Sequence, residues 1–263
     1  MPSSIKTLLK FTLLTATICA TAISHAEDSV ETQPDQEKKR WAVMAGVVSY
    51  LPEYQSSSED DDGGILLNLS YEGEKLHLNG EGIYYDLYKR NGFTLSALGL
   101  SYHTGYDDKD RKALNGMRDR DLDFAVGARA AHKGHYGEVV ATVTTDVSGA
   151  HDSAVFGLGY KYTQKVGKFT FEPSARVLSF NDDYMNYYYG VSANEANGNR
   201  AAYTAKGGEV VTLGLQTAYS LTNQWTVIGK VNQNYVPDTL KDSSITKDKD
   251  SFTSGYLAVQ YQF

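Results

Sequence analysis

Apolar and polar residues alternate with a period of two along most of this chain, and this pattern constrains the fold more than any other feature. In 121–132 an apolar face that includes Phe124 and Val126 lies opposite Asp123 and Arg129. Successive residues of a strand point to opposite faces, so such a segment fits a half-exposed strand of a soluble sheet or a strand that crosses lipid around a polar lumen. Its length matches the ~9–11 residues that a tilted strand needs to span a bilayer.

The same alternation recurs throughout the chain. The segments that it predicts to be strands are 41–50, 64–72, 75–87, 93–103, 121–132, 138–148, 154–164, 168–180, 209–220, 225–235 and 256–263. These segments number eleven, whereas single-chain bacterial barrels have an even number of strands. We therefore expect twelve strands, with a missing strand in 28–40 or 51–63, and ten as the alternative.

Tight polar turns join some of these segments and long polar loops join others. The tight turns are 72–74, 89–92, 133–137, 164–168 and 221–224, and the long loops are 104–120, 181–208 and 236–251. This asymmetry is typical of bacterial outer-membrane barrels. Loops of this length would be unusual in a compact soluble sandwich. The sequence therefore predicts an all-β fold, an antiparallel transmembrane β-barrel of the outer membrane of a Gram-negative bacterium.

The last segment ends on an aromatic residue. Leu257, Val259, Tyr261 and Phe263 alternate on one face of it. We expect this strand to be recognised by the outer-membrane assembly machinery, as C-terminal aromatic strands of such barrels are. The alternative is a soluble protein whose last strand happens to end in phenylalanine.

Residues 1–26 are predicted to be a cleavable secretory signal peptide. A basic start, a short apolar core at 11–23 and the small residues of Ser24-His25-Ala26 give the layout of such a signal. The core is shorter than the ~20 residues of a membrane-spanning helix. A lipoprotein signal at Cys19 is disfavoured, because Ile18 stands where a small residue is expected.

The remainder divides into a charged, flexible N-terminal lead at 27–40 and a single β-barrel domain at 41–263. The signal carries two lysines and no acids, so its removal takes the net charge from −7 to −9. A net-negative exported protein is a poor candidate for binding nucleic acid. Twenty tyrosines and 24 glycines suit the aromatic girdles and strands of a barrel in contact with outer-membrane lipids and lipopolysaccharide.

Few residues suggest catalysis or metal binding. His151-Asp152-Ser153 has the spacing of a histidine that could activate a serine, and Asp182-Asp183 together with His151-Asp152 resembles the acidic pairs of surface proteases. Acidic loop ends are common, however, so an outer-membrane hydrolase is the less favoured hypothesis. His132 and His135 lack a third ligand. The acidic runs 59–62 and 107–110 could bind Ca²⁺ but fit solvated loops better. We predict no catalytic, cofactor or metal site.

Charged residues are predicted to face the lumen, where acids and bases alternate. They are Asp123, Arg129, Glu138, Lys161, Glu172, Arg176 and Lys230. A wide pore would present a ring of one sign, whereas this mixture favours a filled or very narrow lumen.

The densest aromatic cluster of the chain lies at 184–189. It is either part of the aromatic girdle or a recognition patch, because tyrosine offers a large amphipathic area at low entropic cost. The residues that we assign to the recognition patch are Tyr184, Tyr187, Tyr188, Tyr189, Gly190 and Glu195.

Several motifs resemble those of the MipA/OmpV family of outer-membrane proteins. The most specific is Tyr-Met-Asn-Tyr-Tyr-Tyr-Gly-Val-Ser-Ala-Asn-Glu-Ala at 184–196. Similar pieces follow the family's order at 51–57, 114–120, 145–151 and 256–263. Ser56 replaces a usual glycine, and Asp242-Ser243-Ser244-Ile245 departs from a frequent Ser-Pro pair.

This resemblance implies an outer-membrane barrel without a known catalytic centre. One family member is described as a scaffold that links a lytic transglycosylase to a peptidoglycan synthase, and others as adhesion or immunogenic surface proteins. We therefore expect a non-enzymatic scaffold or binding protein in envelope (peptidoglycan) maintenance, with these two enzymes as partners. The alternatives are a narrow small-solute channel or a surface adhesin, because a fold transfers more safely than a function.

Overall fold

The computed structural model describes residues 40–49, 54, 63–246 and 248–263. The predicted signal peptide, the lead apart from Arg40 and the acidic run 59–62 lie outside the described residues. The strands are β1 (Arg40–Ser49), β2 (Gly63–Glu72), β3 (Leu76–Asn79), β4 (Gly82–Arg90), β5 (Phe93–Leu100), β6 (Ala125–Gly134), β7 (Gly137–Asp146), β8 (Ala154–Lys161), β9 (Gln164–Val166), β10 (Phe169–Phe180), β11 (Gly208–Ser220), β12 (Trp225–Tyr235) and β13 (Ser251–Gln262). The helices are α1 (Asp182–Tyr189) and α2 (Asp238–Lys241), with a 3₁₀ turn at Lys112–Leu114.

The strands form one antiparallel sheet that closes on itself, because β1 pairs with β13 along its length and β10 pairs with β11. Strands β8 and β9 both pair with β10 and follow one another across Tyr162 and Thr163, so they are two parts of one interrupted strand. The thirteen segments therefore make a twelve-stranded barrel. This confirms the predicted fold and strand number.

The twelfth strand lies within 75–87, which the sequence analysis took as a single strand. Here β3 and β4 form a hairpin in which Asn79 pairs with Gly82 across the two-residue turn Gly80–Glu81. The side chain of Asn79 accepts a hydrogen bond from the backbone N–H of Glu81 at 2.9 Å, and such Asx-turns are a known role of asparagine at turns. The expectation of a missing strand in 28–40 or 51–63 was wrong, because this hairpin completes the count.

The two ends of the barrel differ. At the short-turn end the connections are 73–75, 91–92, 135–136, 167–168 and 221–224. Asn91 and Gly92 both have positive φ, 51° and 78°, as a two-residue type I′ turn requires. At the long-loop end the connections within the described residues are 101–124, 147–153, 181–207 and 236–246 with 248–250, and Gly80–Glu81 is the one short connection among them.

Alternation along each strand separates an apolar outer face from the lumen. On β2, Ile65 and Leu67 point outward with 70% and 57% of their surface exposed, whereas Leu66 between them is buried. Aromatic rings gather outside the short-turn end, where the ring of Trp225 lies 4.8 Å from that of Tyr261. No helix in the described part of the chain is long and apolar enough to cross a bilayer.

Candidate functional site: the cap and the lumen beneath it

The long loops fold together into one unit, here called the cap, made of 101–124, 147–153, 181–207 and 236–250 together with Tyr54. Its apolar core also includes residues at the upper ends of β8 and β10, so loops and barrel wall are buried against one another. The core residues are Tyr54, Tyr106, Leu114, Met117, Val155, Leu178, Phe180, Tyr184, Met185, Tyr188, Tyr189, Val191, Ala205, Leu240 and Ile245. The cap therefore fills the mouth of the barrel at its long-loop end.

Helix α1 brings the tyrosine-rich motif into the centre of the cap. The Asn181 side chain caps the helix by accepting a hydrogen bond from the backbone N–H of Tyr184 at 3.1 Å, and two aspartates in the first turn favour the helix N-terminus. Tyr184, Tyr188 and Tyr189 are buried, and Tyr187 is half-buried. Most of the residues assigned to the recognition patch therefore pack inside the cap, whereas Tyr187 and Glu195 keep partial exposure.

Tyr188 lies at the centre of this packing and is fully buried. Its ring stacks on the imidazole of His103, with centroids 3.9 Å apart, and its hydroxyl donates to the carbonyl oxygen of Asp121 at 3.0 Å. Burial raises the pKa of the Tyr188 hydroxyl, and the nearby carboxylate of Asp123 raises it further. The phenol therefore stays neutral and acts as a hydrogen-bond donor within the cap.

Tyr54 connects the first long loop to the same centre. Its hydroxyl donates to the carbonyl oxygen of Tyr188 at 3.2 Å and lies 3.0 Å from Nε2 of His103. The backbone N–H of Gly105 donates to Nδ1 of His103 at 2.8 Å, which assigns the proton of the neutral imidazole to Nε2. The imidazole then donates to the Tyr54 hydroxyl, so both polar groups are satisfied in a buried position.

A buried ion pair joins two further loops of the cap. The guanidinium of Arg120 lies 3.2 Å from Oε1 of Glu195 and also donates from Nε to the carbonyl oxygen of Tyr187 at 2.6 Å. Arg200 donates to the carbonyl oxygens of Glu195 and Ala113, at 2.6 Å and 2.7 Å. These contacts tie the loop 101–124 to the segment that follows α1. Arg200 had no signal in the sequence, since its contact with the carbonyl oxygen of Ala113 joins residues far apart in the chain.

The carboxylate of Glu195 is stabilised by several donors. Burial alone would raise its pKa, but hydrogen bonds from the Ser192 hydroxyl and from the backbone N–H groups of Arg118 and Ser192 lower it, with help from the charge of Arg120. Together they bring the pKa of Glu195 to about 2. The ion pair is therefore fully formed at neutral pH.

His151 and Ser153 do come together as the sequence suggested. The Ser153 hydroxyl lies 2.6 Å from Nδ1 of His151, and Nε2 lies 3.5 Å from Oδ2 of Asp123. However, Ser153 is 3% exposed, and the ring of Tyr184 covers His151 at 4.9 Å. This trio offers a substrate no access in the closed cap.

Asp123 has a structural role beside this trio. Its Oδ1 accepts hydrogen bonds from the Ser101 hydroxyl and from the backbone N–H groups of Tyr102 and His103, at 2.8–2.9 Å. Asp123 lies at the end of the loop 101–124, just before β6, and its contacts join that end to the start of the same loop. It therefore lies at the base of the cap and not in the strand predicted at 121–132.

The lumen below the cap has two unlike walls. The wall from β11 through β13 to β2 carries a cluster of buried apolar residues, Met44, Val48, Leu66, Ala218, Ile228, Tyr256 and Ala258, beside the buried polar side chains Gln216, Asn232, Asn234 and Ser254. On the other wall Arg129 and Lys161 both contact Glu138, at 2.6 Å and 3.5 Å. Acids and bases therefore do pair across neighbouring strands, as expected of a filled or narrow lumen.

A cavity of about 450 Å³ lies against the charged wall and reaches the short-turn end at Gly134 and His135. Its lining is polar and charged, and is supplied by β2 to β8 and by Glu172 of β10. This was not anticipated, because the sequence shows which side chains face inward but not where they leave space. Within the described residues, no cluster of His, Cys, Asp and Glu could hold a metal ion.

Comparison with known proteins finds a matching family and similar outer-membrane proteins. The family model described as "MltA-interacting protein MipA" matches residues 44–263. Outer membrane protein OmpV of Vibrio cholerae is 28% identical over 85% of this chain and 87% of its own length. The MltA-interacting protein of Escherichia coli K12 is 24% identical over 98% of this chain and 100% of its own length. The motifs at 114–120 and 184–196 and most of the motif at 145–151 fall in the cap.

Solved structures show a more distant likeness. An outer membrane channel of Pseudomonas putida F1 covers 89% of this chain with all of its own, at 10% identity and a TM-score of 0.43. OprB of Pseudomonas putida covers 85% of this chain with 56% of its own, at 13% identity and a TM-score of 0.38.

Proposed function

Because the chain belongs to the MltA-interacting protein MipA family, we propose that it is a non-enzymatic scaffold of the outer membrane that serves peptidoglycan maintenance. The observation that carries this proposal is the cap. Short turns of outer-membrane barrels face the periplasm and long loops face outward, so the filled end is the extracellular one. The end that remains available to partners then faces the periplasm, where peptidoglycan lies.

The short-turn end also has a charge that suits protein partners. Although the whole chain is net negative, exposed basic residues from several strand ends and turns gather there: Arg40, Lys75, Lys89, Arg90, Lys133, Lys165 and Lys168. An acidic surface on a partner would complement this basic rim. The name of the Escherichia coli relative supports a lytic transglycosylase as the first partner, and a peptidoglycan synthase is the second that we propose.

Affinity purification from solubilised envelopes, at native expression, tests this scaffold. A tag inserted at the exposed Asn199 leaves both chain ends free. We expect recovery of a lytic transglycosylase, weakened by the charge reversals Lys165→Glu and Lys168→Glu at the short-turn end. The matched reversal Lys109→Glu, in an exposed position of the cap, should leave recovery unchanged. Recovery of no cell-wall enzyme with the unaltered chain would overturn the proposal.

The absence of an enzymatic activity is part of this proposal. The His151–Ser153 pair is the best candidate nucleophile in the described chain, and its burial argues against hydrolysis. If a lipase or protease activity is detected with the purified barrel and lost in His151→Ala, the non-enzymatic assignment fails.

A narrow channel is the second candidate, and the cavity at the short-turn end is the observation in its favour. Conduction would require the cap to open, since the cap fills the opposite end. Planar-bilayer recording separates the two candidates. Stable stepwise conductance by the unaltered protein would favour the channel, and its absence would favour the scaffold.

The final strand has a separate proposed role in assembly. In β13 the side chains of Leu257, Val259 and Tyr261 face outward, and the backbone N–H of Phe263 donates to the carbonyl oxygen of Trp41 at 2.9 Å. We propose that the assembly machinery recognises this apolar face. Deleting Phe263 should reduce the folded, heat-modifiable form in the outer membrane, whereas Asn199→Ala, at an exposed position of the cap, should not. Equal amounts of folded protein would contradict this role.

A further inference from the structure

The cavity at the short-turn end is electrostatically polarised across its width. The wall formed by β2 to β4, with the turn between β3 and β4, carries three carboxylates and one lysine: Glu72, Glu81, Asp86 and Lys89. The wall formed by β6 to β10 carries three cations and two carboxylates: Arg129, Lys133, Lys161, Glu138 and Glu172. One wall is thus net negative and the facing wall net positive.

The acidic wall is organised around an imidazole. His77 lies between two carboxylates, with Nδ1 at 2.7 Å from Oε2 of Glu72 and Nε2 at 3.2 Å from Oδ2 of Asp86. The Ser96 hydroxyl donates to the other oxygen of Asp86 at 2.7 Å. An ionised carboxylate offers about four acceptor sites, of which the imidazole occupies only one on each acid. The carboxylates of Glu72 and Asp86 therefore retain acceptor capacity for a further cation.

The basic wall has the reciprocal arrangement. Two cations, Arg129 and Lys161, share the single carboxylate of Glu138 at 2.6 Å and 3.5 Å. Arg129 has five N–H donors, so one carboxylate leaves donors available. Glu172, the second acid of this wall, accepts a hydrogen bond from the Thr163 hydroxyl at 3.0 Å. This wall therefore retains donor capacity for a further anion.

We propose that this cavity binds a zwitterion, a short peptide with a free ammonium group and a free carboxylate. The ammonium would contact Glu72 and Asp86, and the carboxylate would contact Arg129 and Lys161. A volume of about 450 Å³ falls within the usual ~300–1,000 Å³ of ligand pockets. The site opens at the short-turn end, so the ligand enters from the periplasm. The site shares Lys89 and Lys133 with the basic rim, but Lys165 and Lys168, whose charge reversal tests the partner contact proposed above, lie outside the cavity lining.

Isothermal titration calorimetry with the purified full chain in detergent tests this site. The probe is trialanine, compared with trialanine that is acetylated at its amino end and amidated at its carboxyl end. We expect the free peptide to bind and the doubly blocked peptide to bind about tenfold more weakly or not at all, because each charged hydrogen bond contributes on the order of a tenfold factor.

Two lumen variants locate the binding. Asp86→Asn and Arg129→Gln should each weaken trialanine binding about tenfold, whereas Lys230→Gln, a charge removal on β12 outside the cavity lining, should not. Heat-modifiable migration shows that each variant is folded. No heat of binding with the unaltered chain, equal binding of the blocked peptide, or equal effects of all three variants would overturn the proposal. None of these results bears on whether a partner protein is recovered through the exposed rim. Either proposal can therefore fail while the other stands.

Discussion

The guanidinium of Arg120 lies 3.2 Å from the carboxylate of Glu195, and only 4% and 10% of the two side chains are exposed. The two residues belong to loops that follow different strands, β5 and β10. The ion pair therefore makes the cap one cooperative unit instead of a set of separate loops. The cap is the observation on which the proposed periplasmic scaffold rests.

Breaking this ion pair should loosen the cap without unfolding the barrel. Removing one partner of a buried pair leaves an uncompensated charge and costs about 3–5 kcal/mol. We expect Arg120→Ala to make the cap sensitive to protease added to intact cells, while heat-modifiable migration is retained. The control is Lys241→Ala, which removes a pair with Asp250 at 2.7 Å on the surface, where such pairs contribute little. Equal protease resistance of Arg120→Ala and the unaltered chain would contradict a role for the pair.

The cap should also weaken in acid. The pKa of Glu195 is about 2 in the folded cap, below its ordinary value of 4.5. A lowered pKa contributes stability that is present above the ordinary value and is lost as the pH falls toward the folded value. Cleavage of the cap by pepsin should therefore increase between about pH 4.5 and 2. Glu195→Gln should be more sensitive throughout and lack this dependence, and an identical pH profile in both proteins would contradict the assignment.

Two substitutions of Tyr188 separate the contribution of its ring from that of its hydroxyl. Tyr188→Ala removes a fully buried aromatic ring, at a cost of about 3–5 kcal/mol. Tyr188→Phe loses the hydrogen bond to Asp121 and costs about 1 kcal/mol. We expect channel activity in planar bilayers from the alanine variant alone, because its cap no longer fills the mouth. If both variants are as silent as the unaltered protein, the ring is not what holds the mouth closed.

Gly46 lies at the seam between β1 and β13, where the barrel closes. A Cβ atom there would fall on the carbonyl oxygen of Leu257 and on the backbone of Ala258. Gly46→Ala should therefore destabilise closure by about 1–3 kcal/mol, as overpacking does. At Gly229 the nearest atom to an added Cβ is Cδ1 of Leu257 at 3.8 Å, so Gly229→Ala is the matched control. Urea titration of the folded, heat-modifiable band compares the two, and equal midpoints would contradict a closing seam at Gly46.

The barrel could be predicted from the sequence because strand alternation is a local property. Each apolar band reports which side chains face lipid, and the count failed only where Asn79 and Gly80 mark a hairpin inside one apparent strand. Alternation alone does not reveal a turn inside a strand, whereas the turn-forming residues within the segment do.

The cap could not be predicted in the same way, because its contacts join residues far apart in the chain. The tyrosines at 184–189 have helical spacing over a single short helix, and nothing local shows that His103 and Tyr54 cover them. Their density was visible in the sequence, but their burial was not. The polarised cavity likewise depends on residues of the eight strands β2 to β8 and β10, which only the closed sheet brings together.

Access to the lumen is the most direct test of the closed mouth on which the proposed function depends. Cys19 is the only cysteine of the chain, so a single cysteine can be introduced in a Cys19→Ser background. Thr94→Cys lines the cavity, and Asn199→Cys is exposed on the cap. With a bulky, membrane-impermeant maleimide, we predict labelling of Asn199→Cys in intact cells and of Thr94→Cys only after the outer membrane is permeabilised. Labelling of Thr94→Cys in intact cells would show an open mouth and contradict the account.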